Sequence, residues 1–337
     1  MSIFVFGTMT TVIYETWFGL FERQTAIQLC GAMMFFVFIL FYIERLSRGR
    51  QRHDQLGGKA KPLTVIRLNG RRAWLAASYP FAIVAFAFIY HLTTLLVWNA
   101  QSLGQQNARS YWDTAELAFN SASIAILAAV IIVAISVFVC HSRRIMPNNK
   151  LVNTLTMLGV SGFVLPGTII ALGVMIHLVW LDDMLNIVSE RLFDTTPDLV
   201  ITGSIAGLLV AHMIRFFAVG YYFSDAGLSK VSPSMDDAGQ TMGAHWGRIF
   251  WRIHLHLMRG SLMIGGLIVF IDVCKEMAAT LVIRTFAFDT LATKIWELSA
   301  ESYLKDAALP SLFIVLVMLP AVALLIKFSG RARHADP

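Results

Sequence analysis

Residues 116–140, ELAFNSASIAILAAVIIVAISVFVC, contain one charged side chain, Glu116. A run of about 20 apolar residues is long enough to cross the hydrocarbon core of a bilayer as an α-helix. In lipid, a single span of this kind must satisfy its backbone hydrogen bonds internally, which a helix does. The stretch therefore predicts a transmembrane helix, and it sets the expectation for the rest of the chain.

The composition of the whole chain agrees with a membrane protein. Of 337 residues, 57% are hydrophobic and 14% are charged, whereas soluble domains carry about a quarter charged residues. The formal net charge is +6, but the basic residues stand beside apolar runs, as they do in proteins oriented by their loops. We therefore expect contact with a lipid bilayer and no nucleic-acid partner.

Apolar runs recur along the chain and predict an all-α, polytopic fold. We expect seven transmembrane helices, at 25–43, 74–98, 116–140, 151–180, 199–223, 261–283 and 307–328. The fourth run is longer than a membrane requires and contains Leu165-Pro166-Gly167. Because the residue before a proline avoids helical geometry, we expect a break or kink there.

Lysine and arginine alternate between the segments that connect these runs. Nineteen lie in one set, formed by 44–73, 141–150, 224–260 and the chain end from Lys327. Six lie in the other set, formed by 1–24, 99–115, 181–198 and 284–306. Cytoplasmic loops carry the excess of basic residues, so we expect the N-terminus outside and the C-terminus in the cytoplasm.

Two parts of the chain resemble each other. Residues 4–26, FVFGTMTTVIYETWFGLFERQTA, align without gaps to residues 286–308, FAFDTLATKIWELSAESYLKDAA. Seven aligned positions are identical, among them Thr8 with Thr290 and Thr11 with Thr293, and Tyr14 aligns with Trp296. Each copy precedes a predicted span, which indicates an internal duplication.

The predicted cytoplasmic segment 232–260, SPSMDDAGQTMGAHWGRIFWRIHLHLMRG, is too polar to cross a membrane. Ser232 before Pro233, followed by two aspartates, predicts a helix start with a capping hydroxyl and acids near the positive helix end. His254 and His256 are two positions apart and share no helix face. We expect both histidines to be solvated and not to bind a metal.

The pattern in this segment resembles the EAA loop of binding-protein-dependent ATP-binding cassette (ABC) importer permeases. That loop reads Glu-Ala-Ala, three residues, Gly, nine residues, Ile-x-Leu-Pro, and the spacing is kept here. Gly239 stands for the second alanine and His256 for the proline. The resemblance implies a short coupling helix that docks on a partner ATPase. The coupling residues it implies are Asp237, Ala238, Gly239, Gly243, Ile253 and Leu255.

Four further stretches are similar to the ferric-iron branch of these permeases, whose members are built as two fused halves. They are LPGTIIALG (165–173), RFFAVGYYFSDAGL (215–228), DVCKEMAATLVIRTFAFDTLATKIWE (272–297) and ALPSLFIVLVMLP (308–320). The resemblance implies a multi-pass protein of the bacterial inner membrane that moves ferric iron from an external binding protein to the cytoplasm. Alternating access would be driven by an ATPase dimer. Thiamine and phosphonate permeases share much of the pattern and remain alternatives for the cargo.

The repeat and the resemblance together predict a domain organisation. We expect residues 1–43 to be the last loop and helix of an upstream permease half and 44–73 to be a basic cytoplasmic linker. Residues 74–115 would form a leading helix with an external loop. The type-I permease domain would cover 116–328, with the coupling loop at 232–260 and a cytoplasmic tail at 329–337. A second permease half or copy is an expected partner.

Four ionisable residues fall inside the predicted spans, namely Arg215, Asp272, Lys275 and Glu276. A charge at the centre of a transmembrane helix costs roughly 2.5–3.5 kcal/mol, so these side chains should face the bundle interior and pair. On its own helix Asp272 can reach Lys275 or Glu276, at spacings of three and four. Two interpretations remain open: these residues line the translocation path, or they clamp the helices together.

An enzymatic alternative comes from Gly159-Val160-Ser161-Gly162, which resembles the serine motif of rhomboid intramembrane proteases, with His177 or His212 as the base. Small residues at this spacing are also common where helices pack closely. Cys30, Cys140 and Cys274 have neither metal-site nor disulfide spacing. No phosphate-binding Gly-x-x-x-x-Gly-Lys motif occurs, so we expect no cofactor, no catalytic residue and ATP hydrolysis on a partner.

Overall fold

The computed structural model describes residues 8–48, 68–102, 108–283 and 288–334. Within these ranges the regular structure is helical. The helices are α1 (Met9–Tyr14), α2 (Arg23–Arg48), α3 (Arg71–Ser102), α4 (Ala108–Ile145), α5 (Lys150–Ser161), α6 (Gly167–Phe193), α7 (Ile205–Leu228), α8 (Pro233–Thr241), α9 (Trp246–Cys274), α10 (Ala278–Ile283), α11 (Leu291–Ala300) and α12 (Ala308–His334). Short π-helical turns lie within α3, at Ala85–Ile89, and within α9, at Phe250–His254.

Seven of the described helices are long and apolar enough to cross a membrane: α2, α3, α4, α6, α7, α9 and α12. The predicted all-α, multi-pass fold is therefore confirmed. Most helices extend beyond the predicted spans by several residues, because polar residues at the membrane surface continue a helix whose centre is apolar. The segment 181–198, for example, was expected to be a loop, but α6 continues to Phe193.

The expected break at Leu165-Pro166-Gly167 is present. Helix α5 ends at Ser161, a 3₁₀ turn covers Gly162–Val164, and Leu165 is extended (φ −77, ψ 137) before α6 begins at Gly167. A side chain at Gly162 would place its Cβ 2.4 Å from the carbonyl oxygen of Ile214. The break is thus held against α7 at a distance that only glycine permits.

The sixth predicted span, 261–283, is wrong in its bounds. Helix α9 starts earlier, at Trp246, and ends at Cys274; the chain then turns and the short helix α10 starts at Ala278. Lys275 is the C-terminal cap of α9, with φ −94 and ψ 0. The ionisable residues that we placed inside a continuous span therefore lie at a helix end and in a turn between two helices.

The connection between α6 and α7 is tied down by Asp182, which is fully buried. Its carboxylate accepts hydrogen bonds from the backbone N–H groups of Val200, Ile201 and Thr202, at 3.1, 2.8 and 2.7 Å. Three donors satisfy a buried charge that would otherwise be costly. The returning chain is consequently fixed against the side of α6, and α7 enters the bundle at a defined place.

Helices α4, α7 and α9 form the centre of the bundle and pack against one another along their lengths. Glycines permit the close crossings: a Cβ at Gly220 would lie 2.7 Å from Ser136 Oγ, and one at Gly265 would lie 2.6 Å from the Cβ of Phe223. Small residues at crossings are the usual means by which membrane helices approach closely. This three-helix centre positions the segments described next.

Candidate functional site

The segment that resembles a coupling loop leaves the bundle after α7, forms α8, and returns as α9. Pro233 occupies the first turn of α8, and Asp236 follows in that turn, as the sequence predicts. The predicted capping role of Ser232 is wrong, because its hydroxyl is 2.8 Å from the hydroxyl of Ser234 and caps no backbone N–H. Proline and the acidic residue thus define the start of the helix without a side-chain cap.

The inner side of α8 is held to the bundle by Asp236. Its Oδ1 lies 2.8 Å from Nε2 of His254 on α9, and its Oδ2 lies 2.9 Å from Nε of Arg144 at the end of α4. Arg144 also donates to the carbonyl of Val231, at 2.9 Å. Asp236 and His254 are 4% and 0% exposed, so one carboxylate joins three helices in a dry environment.

This arrangement corrects the expectation that His254 is solvated. His256 is exposed, as expected, whereas His254 points into the bundle. Burial alone raises the pKa of Asp236, but the hydrogen bonds and charges of His254 and Arg144 outweigh it and hold that pKa below its ordinary value. The carboxylate therefore stays ionised and keeps both partners in place.

The two glycines of the motif have different roles in the structure. Gly239 is buried, and a Cβ there would lie 3.1 Å from Cγ1 of Ile249 on α9. Gly243 lies between α8 and α9, is exposed, and has φ +80, a conformation that favours glycine. Gly239 thus allows α8 to pack close to α9, and Gly243 allows the chain to reverse.

The outer side of α8 is exposed and apolar. Met235 and Ala238 lie on α8 and Met242 is its C-terminal cap; the three recur at helical spacing, and the two methionines are 45% and 81% exposed. Asp237 is exposed beside them, whereas Ile253 and Leu255 pack onto the inner cluster around Met258. An apolar stripe on an otherwise polar helix is typical of a docking surface, and methionine adapts well to a partner.

A second ion pair lies at the break before α6. Nε of Arg215 on α7 is 3.1 Å from Oε2 of Glu276, and Oε1 of Glu276 accepts the N–H of Ala279, at 3.1 Å, at the start of α10. A Cβ at Gly167 would lie 2.4 Å from Nη1 of Arg215 and 2.7 Å from Oε1 of Glu276. The pair therefore joins both helix breaks of the bundle at one point.

The other two predicted charges do not join this pair. Lys275 Nζ lies 2.8 Å from Oδ1 of Asp272, and the two side chains are 60% and 19% exposed. The spacing-based pairing of Asp272 with Lys275 is present, but Glu276 pairs with Arg215 instead. Of the four residues, only Arg215 and Glu276 lie together in the bundle interior.

The rhomboid-like alternative finds no support in the geometry. The hydroxyl of Ser161 donates to the carbonyl of Leu158, at 2.7 Å. Nδ1 of His177 and of His212 each lies within hydrogen-bond distance of a carbonyl in its own helix. In the described part of the chain, neither histidine is hydrogen-bonded to Ser161, so a serine nucleophile with its base is absent there.

The two copies of the sequence repeat have similar local structures. The Thr8 side chain accepts the N–H of Thr11 at the start of α1, and the Thr290 side chain accepts the N–H of Thr293 at the start of α11, both at 3.4 Å. Each copy leads into a long apolar helix, α2 or α12. The rings of Tyr14 and Trp296 meet edge to face, with centroids 5.4 Å apart. The two copies therefore contact each other at this aligned pair.

Comparison with known proteins gives sequence relatives of one kind, although no family model matches the chain. The "Fe(3+)-transport system permease protein FbpB 2" of Haemophilus influenzae is 21% identical over 98% of this chain and 62% of its own length. The "Putative ferric transport system permease protein FbpB 1" of the same organism is 29% identical over 36% of this chain and 19% of its own length. The chain thus spans about three fifths of the length of FbpB 2, the relative that it matches over nearly its whole length.

Solved structures with a similar fold are components of ABC importers. A chain of the bacterial alginate ABC transporter, solved with an alginate pentasaccharide-bound periplasmic protein, matches 77% of this chain and 96% of its own length, with a TM-score of 0.61 and 15% identity. A second structure of a bacterial alginate importer matches 79% of this chain with a TM-score of 0.57. The chain therefore has the transmembrane fold of ABC importer permeases, and its sequence resembles the ferric-transport permeases among them.

Proposed function

We propose that this chain is the transmembrane permease subunit of an ABC importer of the bacterial inner membrane. It would move cargo from an external binding protein to the cytoplasm by alternating access, and a partner ATPase would supply the energy. The fold supports this function. The observation that carries it is α8, which is clamped to α4 and α9 on one side and exposes Met235 and Ala238, with Met242 at its C-terminal cap, on the other.

This geometry is suited to transmitting force. A partner that pushes on the exposed stripe moves α8, and the carboxylate of Asp236 transfers the movement to α4 and α9 without a flexible link. Asp237, Ala238, Gly239, Gly243, Ile253 and Leu255 are the proposed coupling residues. Of these, Gly239, Ile253 and Leu255 act from inside, by packing, while Asp237 and Ala238 are on the surface.

The proposed cargo is ferric iron, because the relatives that match the chain are ferric transport permeases. Thiamine and aminoethylphosphonate remain the alternative cargoes to test. The proposed orientation places α8 and the chain end in the cytoplasm, as the nineteen-to-six distribution of basic residues favours. Residues 4–26 and 286–308 would be two copies of one segment, so that the chain carries parts of two permease halves joined by 44–73.

The coupling assignment is tested by a charge placed on the exposed stripe. Met242→Glu should leave the protein inserted and folded, since the side chain is 81% exposed, but should lower the amount of ABC ATPase that co-purifies. Gln240→Glu adds the same charge to another, also exposed, side of α8 and should bind the ATPase normally. Equal ATPase recovery with both variants would show that the stripe does not dock the partner.

The cargo assignment is tested separately, by uptake. Cells that depend on this importer should take up radioactive iron, and Met242→Glu should lower the uptake in proportion to the lost ATPase. Uptake of thiamine or aminoethylphosphonate in place of iron would keep the permease function and change the cargo. Loss of iron uptake without any change in ATPase binding would contradict the proposed role of the stripe.

A further inference from the structure

A cavity of ≈ 270 Å³ lies where the two copies of the repeat approach the helix breaks. Thr10, Thr11 and Tyr14 of α1 form one wall, and Trp296 of the second copy adjoins them. Another wall contains Thr168 at the start of α6, together with Arg215 and the first residues of α10. The cavity is thus bounded by three helix ends and by one charged side chain among its lining residues.

Two polar atoms of the residues in that wall are buried and have no hydrogen-bond partner. They are Nη1 of Arg215 and Oγ1 of Thr168. Thr168 is only 6% exposed, and Nε of Arg215 is already bonded to Glu276. Buried donors are rarely left unpaired in native proteins, so each such atom requires an explanation. A group that accepts hydrogen bonds inside the cavity would provide it.

The start of α6 makes the same wall electropositive. This helix has 27 residues and no side-chain cap at its N-terminus, so its first N–H groups carry the partial positive charge of the helix dipole. The absence of a side chain at Gly167 lets the guanidinium of Arg215 approach this helix end, since a Cβ would lie 2.4 Å from Nη1. Glu276 offsets the charge of Arg215, but both of its oxygens are already engaged, by Arg215 and by Ala279.

We propose that this cavity binds a small oxyanion, a phosphate or carboxylate group, through Arg215 Nη1, Thr168 Oγ1 and the N-terminus of α6. An oxyanion accepts from a guanidinium, a hydroxyl and backbone N–H groups at once, which is the usual chemistry of such sites. A bare cation would be repelled by the guanidinium and by the helix N-terminus. Insofar as the chain is a permease, which rests on the proposed function, the oxyanion is free in solution or is the anionic part of a ferric complex.

The site is tested on the purified full chain in detergent. Thermal unfolding is measured in increasing sodium phosphate, with sodium chloride at matched ionic strength as the reference, and the saturation curve gives the dissociation constant. We expect phosphate to raise the melting temperature saturably. Thr168→Val removes one donor without altering charge and should raise the dissociation constant about tenfold, the effect of losing one hydrogen bond to a charged group.

A second variant and a control complete the test. Arg215→Gln combined with Glu276→Gln removes the cation without leaving a buried charge unpaired, and it should abolish the phosphate effect. Thr156→Val is the matched control, because that buried hydroxyl donates to Val152 within its own helix and it should bind phosphate like wild type. The proposal would be overturned if phosphate raised the melting temperature no more than chloride does. It would also be overturned if phosphate raised the melting temperature of Thr168→Val and of the double variant as much as that of wild type.

The source of the anion is distinguished by adding citrate with and without ferric ion. If ferric citrate raises the melting temperature more than citrate alone, and the difference is lost in Thr168→Val, the site binds a ferric complex. If both raise the melting temperature equally, the site binds a free anion. Both results support the oxyanion site. Since the assay contains neither an ATPase nor a transport step, its failure is independent of a failure of iron uptake.

Discussion

Two groups of ionisable side chains hold helices together at the points where the helices meet. Arg215 and Glu276 join the two helix breaks, and Asp236 joins α8 to Arg144 and His254. Breaking a buried pair by removing one partner costs about 3–5 kcal/mol, because the remaining charge stays buried. The charges predicted inside the spans were expected either to line the translocation path or to clamp the helices together. The contacts of Arg215 and Glu276 favour the clamp.

Asp236→Asn should destabilise the protein by about 3 kcal/mol at neutral pH, since Arg144 loses its buried anionic partner. The pKa of Asp236 is held below its ordinary value in the folded state. Its contribution is therefore fully present above the ordinary carboxyl pKa and is lost as the pH falls through the lowered value. Melting temperatures from pH 7 downward should show a large difference between wild type and variant that narrows only in strong acid.

Asp237→Asn is the control for this measurement. Asp237 is the exposed neighbour of Asp236, and its removal should change the melting temperature little at any pH, as expected for a solvated carboxylate. If Asp236→Asn and Asp237→Asn have equal stabilities, or if the difference between Asp236→Asn and wild type does not narrow in strong acid, then Asp236 does not hold α8 as an anion.

At the residue level, the sequence predicts some contacts and misses others. The cost of charges in lipid predicts that the four charges pair but names no partner for Arg215, which contacts Glu276. Helical spacing leaves Lys275 and Glu276 open as partners of Asp272, and the contact is with Lys275. The burial of His254 is missed, because the spacing of His254 and His256 describes only the faces of α9. Whether a face is solvated is decided by α4 and α8, which pack on it, and no local pattern contains that information.

At the level of elements, the arm formed by α8 and the start of α9 depends on one reversal of the chain. Gly243 has φ +80 there, and a Cβ at this position would meet no atom within 4 Å. The need for glycine is therefore conformational and not steric. An L-residue in this region costs about 1–2 kcal/mol, so Gly243→Ala should destabilise the arm by that amount, measured by hydrogen exchange of the α8 amides.

Gly260→Ala is the control, because a glycine-to-alanine change there should stabilise the helix instead of destabilising it. Gly260 lies inside α9, has no positive φ, and a Cβ there would also meet open space. Alanine in a helix interior is more stable than glycine by about 0.5–1 kcal/mol, so this variant should exchange no faster than wild type. Equal protection of α8 in both variants would show that the reversal tolerates a side chain.

The two helix breaks show what element boundaries can be read from a sequence. Proline and glycine mark the break before α6, and the prediction at 165–167 is confirmed. The break between α9 and α10 has neither residue, and Lys275-Glu276-Met277 reads as part of a span. It is stabilised by long-range contacts, since Glu276 bonds to Arg215 and to the N–H of Ala279. Such a boundary depends on tertiary contacts, so a local sequence pattern does not predict it.

At the level of the whole molecule, contacts group the connecting segments into two sets at opposite ends of the bundle. Arg144 bonds to Asp236, which places 141–150 and the α8 arm at one end. Asn120, in the N-terminal half of α4, donates to the carbonyl of Asp289 before α11, and Tyr14 of α1 meets Trp296 of α11, which places α1 and α11 near the other end of α4. In the sequence, 141–150 and 224–260 belong to the set of segments rich in lysine and arginine, and 1–24 and 284–306 belong to the other set. The number of spans is thus readable from hydropathy, whereas the order of packing is not, and the sidedness of the loops stays a prediction.

The orientation is tested by labelling single added cysteines in intact cells. Thr196→Cys lies in the exposed connection between α6 and α7, and Lys150→Cys lies at the exposed start of α5 near the basic end. Cytoplasmic loops carry the basic excess because translocating Lys and Arg is unfavourable, so a membrane-impermeant maleimide should label position 196 in intact cells and position 150 only after lysis. The unaltered protein is the control, since Cys140 and Cys274 are each 2% exposed and Cys30 is partly buried.

Labelling of position 150 in intact cells with protection of position 196 would reverse the orientation and move the exposed stripe of α8 away from any cytoplasmic ATPase. Labelling of both from one side would instead contradict the membrane crossing by α6.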